Sequence, residues 1–164
     1  SQIETGTTYT IYLPACLKEV TISYETKEEL GRAPLPQGRQ KILVMDDEPE
    51  VREIIRTILT HYGYTVKCTS NGSEMIENYK SAKESGKPFA AVIMDLTIKG
   101  GMGGKEAIND LIKIDPKVRA IVASGYLNDS IMTDFRKYGF CNVIAKPFRA
   151  EELTNKLHQV LSEK

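Results

Sequence analysis

From Lys41 onward, short apolar runs alternate five times with stretches of helical periodicity. That alternation predicts a parallel sheet with helices on its faces. The runs at 42–45, 65–68, 90–94, 120–123 and 142–145 read as strands. Most are continuous rather than alternating, as expected where both faces of a strand are covered. The clearest helical stripe is Val51, Ile54, Ile55, Ile58, Leu59 and Tyr62, with Pro49 in the opening turn and Gly63 placed to end it. Later helices are marked by Met75, Ile76 and Tyr79, by Ile108, Leu111 and Ile112, by Ile131, Met132 and Phe135, and by Leu153, Leu157, Val160 and Leu161. Right-handed crossovers then favour a doubly wound α/β fold of five parallel strands in the order 2-1-3-4-5, with a site at the carboxyl ends of the strands.

Residues 1–40 follow a different pattern. Tyr9, Ile11 and Leu13 alternate with Thr8, Thr10 and Tyr12, and Val20, Ile22 and Tyr24 resume the alternation beyond Pro14. Both segments read as strands, so residues 1–24 are expected to form an N-terminal β extension whose apolar face needs cover. Residues 25–40 are rich in charge, Gly and Pro and have the composition of a linker. The domain boundary therefore falls near Arg39, with the α/β domain spanning 41–164.

Composition narrows the function. Lys plus Arg equals Asp plus Glu at 22 each, so the basic excess that phosphate-backbone binding calls for is missing and nucleic acid is not an expected partner. The longest apolar stretches, such as Ala90 to Met94, are too short to cross a bilayer, and the Ser1 end lacks a signal-peptide pattern, so no membrane contact is expected. Cys16, Cys68 and Cys141 are odd in number and widely separated, which suits packing residues in a reducing cytoplasm better than a disulfide framework. His61 and His158 lie far apart in helical patterns and read as surface residues rather than a ligand pair.

Polar residues interrupt the apolar runs in four places: Met45-Asp46-Asp47-Glu48, Met94-Asp95, Ala123-Ser124-Gly125 and Ala145-Lys146-Pro147. In a parallel sheet all four breaks lie on one edge and converge on one pocket. Three carboxylates crowded together repel one another and call for a hard divalent cation with oxygen ligands. Lys146 and the Ser124 hydroxyl are then placed to hold the oxygens of a transferring phosphoryl group, with Asp95 as nucleophile. Each residue also has a simpler reading: Asp46 as a helix cap, Glu48 and Glu50 as first-turn residues complementing the helix dipole, Ser124 as a turn residue and Lys146 as a solvated lysine. Their shared position at carboxyl ends of predicted strands favours the pocket. The chain has no GxxxxGK(S/T) or Gly-rich phosphate loop, so ATP is not expected to bind it.

At these motifs the sequence closely resembles the receiver (response regulator) domains of two-component systems, whose fold is flavodoxin-like, across residues 41–164. Ile42-Leu43-Val44-Met45-Asp46-Asp47-Glu48, Val92-Ile93-Met94-Asp95 and Ala145-Lys146-Pro147-Phe148 match the family's acidic pair, phosphoacceptor and lysine motifs. The resemblance implies that Asp47 and Asp95 bind Mg2+ (or Mn2+) directly, that the Thr97 carbonyl completes the protein ligands, and that Asp46 acts through metal-bound water. It implies that Asp95 accepts a phosphoryl group from a phosphohistidine, or from a small phosphodonor, and that Ser124 is the switch hydroxyl. Tyr126 and Thr97 flank the path of hydrolytic water in this family, and the larger ring of Tyr126 is expected to guard it. The Lys146–Pro147 bond is expected to be cis, turning the lysine back into the pocket.

Two features depart from the family pattern. The stretch after Asp95, Ile98-Lys99-Gly100-Gly101-Met102-Gly103-Gly104, replaces the usual Pro and Asp-Gly with a longer loop that is more permissive in backbone angle. Val143 stands where the family's aromatic switch residue is usual, so a Ser124-coupled aromatic rotation is not expected in its usual form. Residues 5–14, Thr5-Gly6-Thr7-Thr8-Tyr9-Thr10-Ile11-Tyr12-Leu13-Pro14, resemble the terminal segment of a histidine kinase ATP-binding domain. Joined to a receiver, that segment implies the carboxyl-terminal piece of a hybrid sensor kinase. Two other functions fit the residues less well: a receiver-like module that binds proteins without being phosphorylated, which would have lost the acidic pocket or lysine, and a Mg2+-dependent phosphohydrolase, which would need a DxD arrangement where position 97 is Thr.

Overall fold

A computed structural model describes residues 10, 40–125 and 130–162. The expected strands of residues 1–24, the linker, Cys16 and Tyr126 lie outside these, apart from Thr10 and Gln40. The chain divides into two units, Ser1–Arg32 and Ala33–Lys164, and every element described below belongs to the second.

The elements alternate as the sequence pattern predicts: β1 (Lys41–Met45), α1 (Pro49–His61), β2 (Thr65–Thr69), α2 (Gly72–Glu84), β3 (Ala91–Asp95), α3 (Gly104–Ile114), β4 (Ala120–Ser124), α4 (Ser130–Asp134), a 3-10 turn (Phe135–Tyr138), β5 (Asn142–Ala145) and α5 (Ala150–Ser162). All pairings are parallel, in the order β2-β1-β3-β4-β5. The three central strands are buried on both faces, which explains why their apolar runs are continuous. Alternate residues serve opposite layers. Ile42, Val44, Ile93 and Ile121 pack with Ile55 and Leu59 of α1 and with Leu153, Leu157 and Val160 of α5. Leu43, Met45, Val92, Met94 and Val122 pack with Met75 and Tyr79 of α2 and with Ala107, Ile108 and Leu111 of α3.

The first helix begins with Pro49 in its opening turn, where a missing N–H costs nothing. It ends with Gly63 at φ 87°, and two backbone bonds close the turn, Tyr64 N–H to the Leu59 carbonyl at 3.0 Å and Gly63 N–H to the Thr60 carbonyl at 3.0 Å. The predicted stripe on this helix is wider than the face the sheet covers. Ile55 and Leu59 are buried, whereas Ile54 keeps 54% of its surface exposed and Tyr62 37%. The fourth helical pattern also differs from expectation. Its α-helical part stops at Asp134 and the chain tightens into a 3-10 turn before Gly139. Cys68 and Cys141 are partly buried against the α1/α5 layer, and His61 and His158 are exposed. Among the described residues, no helix is long and apolar enough to cross a membrane.

Candidate active site at the carboxyl edge of the sheet

Strand register brings the four polar breaks together. Met45 is opposite Met94, Asp95 opposite Ala123, and Ser124 opposite Ala145. The residues that follow β1 and β5 therefore emerge on the same edge as Asp95. The ladder runs on past the strand ends, with Asp46 N–H on the Thr69 carbonyl at 3.2 Å and Lys146 N–H on the Ser124 carbonyl at 2.8 Å. The Lys146–Pro147 bond is cis, as the sequence predicts.

Asp46, Asp47 and Asp95 each present a carboxylate oxygen within 4.8 Å of the others. The ammonium of Lys146 lies 2.6 Å from Asp46 Oδ2 and 2.9 Å from Asp95 Oδ2. Asp46 is 1% exposed and fully engaged, since its Oδ1 accepts the Glu48 N–H at 3.0 Å. It therefore fixes the turn into α1 and anchors the lysine at once. Asp47 and Asp95 keep more of their oxygen surface toward the opening.

The electrostatics show a shortage of positive charge. Burial pushes the Asp95 carboxyl above its usual value, the hydrogen bond and charge of Lys146 pull it down, the neighbouring Asp46 pushes it up, and the Thr97 backbone N–H pulls it down; the net direction is up. Burial pushes the Lys146 ammonium down, but Asp46 and Asp95 together outweigh it and the net direction is up. The two partners shift in ways that a simple ion pair would not produce. Burial is the largest influence on Asp95 and one ammonium shared with Asp46 does not offset it, whereas the two acids together outweigh burial at Lys146. A hard cation with oxygen ligands fits this donor set.

Asp47, Glu48, Val51, Ile54, Asp95, Thr97, Lys99, Gly125, Lys146, Pro147 and Phe148 line a cleft of about 580 Å3 over this cluster. Ser124 is buried at 1% exposure at the end of β4, and the residue after it, Gly125, lines the cleft. Thr97 is exposed on the cleft wall. Val143, where an aromatic is usual, is a partly buried packing residue opposite Val122.

Two contacts are not signalled by the sequence motifs. Arg52 reaches from the first turns of α1 to donate to the Asp46 carbonyl at 2.5 Å, holding the acidic turn from behind. Lys99 N–H makes a long contact of 3.4 Å to Asp47 Oδ2, so the loop after β3 touches the acidic pair directly.

That loop has a defined course despite its glycines. Leu96 and Ile98 are buried, the Met102 carbonyl accepts the Gly72 N–H at 2.8 Å, and the Leu96 carbonyl accepts the Gly104 N–H at 3.1 Å. A Cβ at Gly104 would lie 2.7 Å from the Asp95 carbonyl oxygen and 3.1 Å from Met94 Cγ. The start of α3 can therefore approach the strand that carries Asp95 only without a side chain. We expect Gly104→Ala to destabilise the domain by about 1–3 kcal/mol, because the carbonyl in its way cannot move without distorting β3. Urea denaturation followed by circular dichroism measures this, and an unchanged midpoint would contradict it.

Residues 42–158 match the response regulator receiver domain family. The chain is 32% identical over 122 residues to the chemotaxis protein CheY of Thermotoga maritima, covering 74% of this chain and 97% of that protein. It is 26% identical to the sensor kinase CckA of Brucella abortus, an alignment that spans 99% of this chain and 17% of the kinase. Among solved structures, the response regulator TrrA of Thermotoga maritima in complex with Mg2+ and BeF superposes with a TM-score of 0.62 at 26% identity, covering 74% of this chain and 98% of that one. Fold, site and relatives agree, and the chain belongs to the response regulator receiver domain family.

Proposed function

We propose that Asp95 is the phosphoacceptor of a phosphorelay, taking its phosphoryl group from a phosphohistidine of a histidine kinase or phosphotransfer domain and losing it by hydrolysis or onward transfer. The observation that carries this reading is the position of Asp95, in an open cleft with two further carboxylates within 4.8 Å and the Lys146 ammonium 2.9 Å away. An Asp95 carboxylate oxygen attacks phosphorus, the P–N bond breaks, and the imidazole leaves with the electron pair and is reprotonated. Lys146 then has a phosphoryl oxygen to hold in addition to Asp46, and the Ser124 hydroxyl is assigned a second phosphoryl oxygen.

The donor set suits Mg2+, with Mn2+ as a substitute. Asp47 and Asp95 would hold the ion directly, Asp46 through water because both of its oxygens are already engaged, and the Thr97 backbone carbonyl would complete the protein ligands. When bound, the ion would offset charge on the phosphoryl oxygens. Beside the cleft, the exposed Ile54 with Val51, Pro147 and Phe148 forms an apolar rim suited to a helix that carries the donor histidine. With Val143 in place of an aromatic, the response to phosphorylation would not use an aromatic rotation coupled to Ser124.

The CckA alignment runs through residues 1–40 as well as the receiver, which supports assigning residues 1–24 to the end of a kinase ATP-binding domain, 25–40 to a linker and 41–164 to the receiver of a cytoplasmic hybrid kinase. Incubation with acetyl phosphate and Mg2+, followed by intact mass measurement, tests the function. A single phosphoryl adduct is expected. No reaction would favour a binding module that is not phosphorylated, and turnover without adduct would favour a phosphohydrolase.

A further inference from the structure

The cleft wall carries two ammonium groups, and they differ in what they are committed to. Lys146 is held by Asp46 and Asp95. The ammonium of Lys99 makes no hydrogen bond or ion pair among the described residues, although Lys99 lines the same cleft as Asp47, Glu48, Asp95 and Lys146. Its backbone is not free to drift. The N–H faces Asp47 Oδ2, the preceding Ile98 is buried, and the loop is tied down at Met102 and Gly104. An uncommitted positive charge is thus kept at the mouth of a cleft whose reacting atom is a carboxylate.

We propose that Lys99 is a specificity-determining residue that favours doubly charged phosphodonors, an inference that rests on Asp95 being the phosphoacceptor. A dianionic donor must approach three cleft carboxylates, Asp47, Glu48 and Asp95, and the other cation lining the wall among the described residues, Lys146, is already shared by two acids. Lys99 offsets that repulsion on approach and takes no part in bond making. For acetyl phosphate, the new bond joins an Asp95 oxygen to phosphorus as the P–O bond to the acetyl group breaks, and acetate leaves with the electron pair. The same charge opposes a divalent cation at Asp47, so its removal has opposite effects on the two ligands.

The test compares wild type, Lys99→Gln and Lys99→Arg with acetyl phosphate, a dianion at neutral pH, and with phosphoramidate, which carries one net negative charge. Lys99→Gln is expected to raise KM for acetyl phosphate about five-fold with kcat unchanged, to raise KM for phosphoramidate by less than about two-fold, and to tighten Mg2+ binding measured by calorimetry. Lys99→Arg should behave as wild type. An unchanged KM for acetyl phosphate, an equal rise for both donors, or weakened Mg2+ binding in Lys99→Gln would overturn the proposal while leaving Asp95 phosphorylation intact. Absence of an adduct in wild type with either donor would overturn both.

Discussion

Lys146→Ala is expected to lower the rate of adduct formation by about 100-fold or more and to destabilise the Mg2+-free domain by about 3 kcal/mol. The first effect follows from the loss of a cation that reaches the proposed phosphoacceptor, Asp95, at 2.9 Å, the kind of oxyanion contact whose removal has a large kinetic effect. The second follows from Asp46, which is 1% exposed and has its Oδ2 on Lys146 at 2.6 Å. Without the lysine, Asp46 keeps only a backbone N–H, and Asp95 loses the partner that opposes its burial. The sign of the pH dependence is fixed as well. The Lys146 ammonium sits above its ordinary value when folded, so its stabilisation is complete below the ordinary lysine range and is lost as pH rises through the folded value. The difference between wild type and Lys146→Ala should therefore be fully expressed at neutral pH and shrink as pH rises into strong base. Chemical denaturation across pH measures it, and equal stability of the two proteins at neutral pH would contradict the assigned role.

Asp95→Asn has the opposite sign on stability and a larger effect on chemistry. The variant should give no phosphoryl adduct under conditions that label wild type, because the amide lacks the nucleophilic oxygen. In the absence of Mg2+ it should be more stable than wild type at neutral pH. The Asp95 carboxyl is raised when folded, with burial as the main cause, so the protonated form is the one that folding favours. Stability from this group is present below the ordinary aspartate range and lost as pH rises through the folded value, which is the loss that an uncharged amide of the same shape avoids. The Lys146–Asp46 pair remains to hold the lysine in place. Added Mg2+ should narrow the gap by stabilising wild type preferentially. Thermal denaturation of both proteins with and without Mg2+ checks this, and a destabilised Asp95→Asn would show that Asp95 is a structural partner of Lys146 first.

Much of the sheet was legible because its central strands are covered on both faces. Burial leaves no room for polar residues until the chain emerges, so Asp46, Asp95 and Lys146 mark both the strand ends and the cleft. The helix faces were legible in period but not in width. Six apolar residues on α1 read as one stripe, yet only Ile55 and Leu59 are buried, Val51 and Ile58 pack at the margin of that layer, and Ile54 is left beside the cleft. Periodicity reports which residues share a face and says nothing of how far the covering layer extends. The pattern Ile131, Met132 and Phe135 likewise suits an α-helix. The chain instead tightens after Asp134, with Phe140 N–H bonding back to the Phe135 carbonyl at 3.1 Å as it turns toward β5.

The supporting contacts were less legible than the acids. Arg52 acts on a backbone carbonyl from a helix whose polar face looks solvated in sequence, and Lys99 acts from a loop with no period. Neither position carries a motif that signals the contact. Glycine abundance after Asp95 suggests freedom, whereas Gly104 serves close approach to the Asp95 carbonyl.

Whether Asp95 is the phosphoacceptor is tested by locating the phosphoryl group. The protein is incubated with acetyl phosphate and Mg2+, the acyl phosphate is reduced with borohydride, and the modified residue is mapped by peptide sequencing. Homoserine is expected in place of aspartate at position 95, with no such conversion in Asp95→Asn. Conversion at Asp46 or Asp47, or a stable adduct that survives in Asp95→Asn, would contradict it.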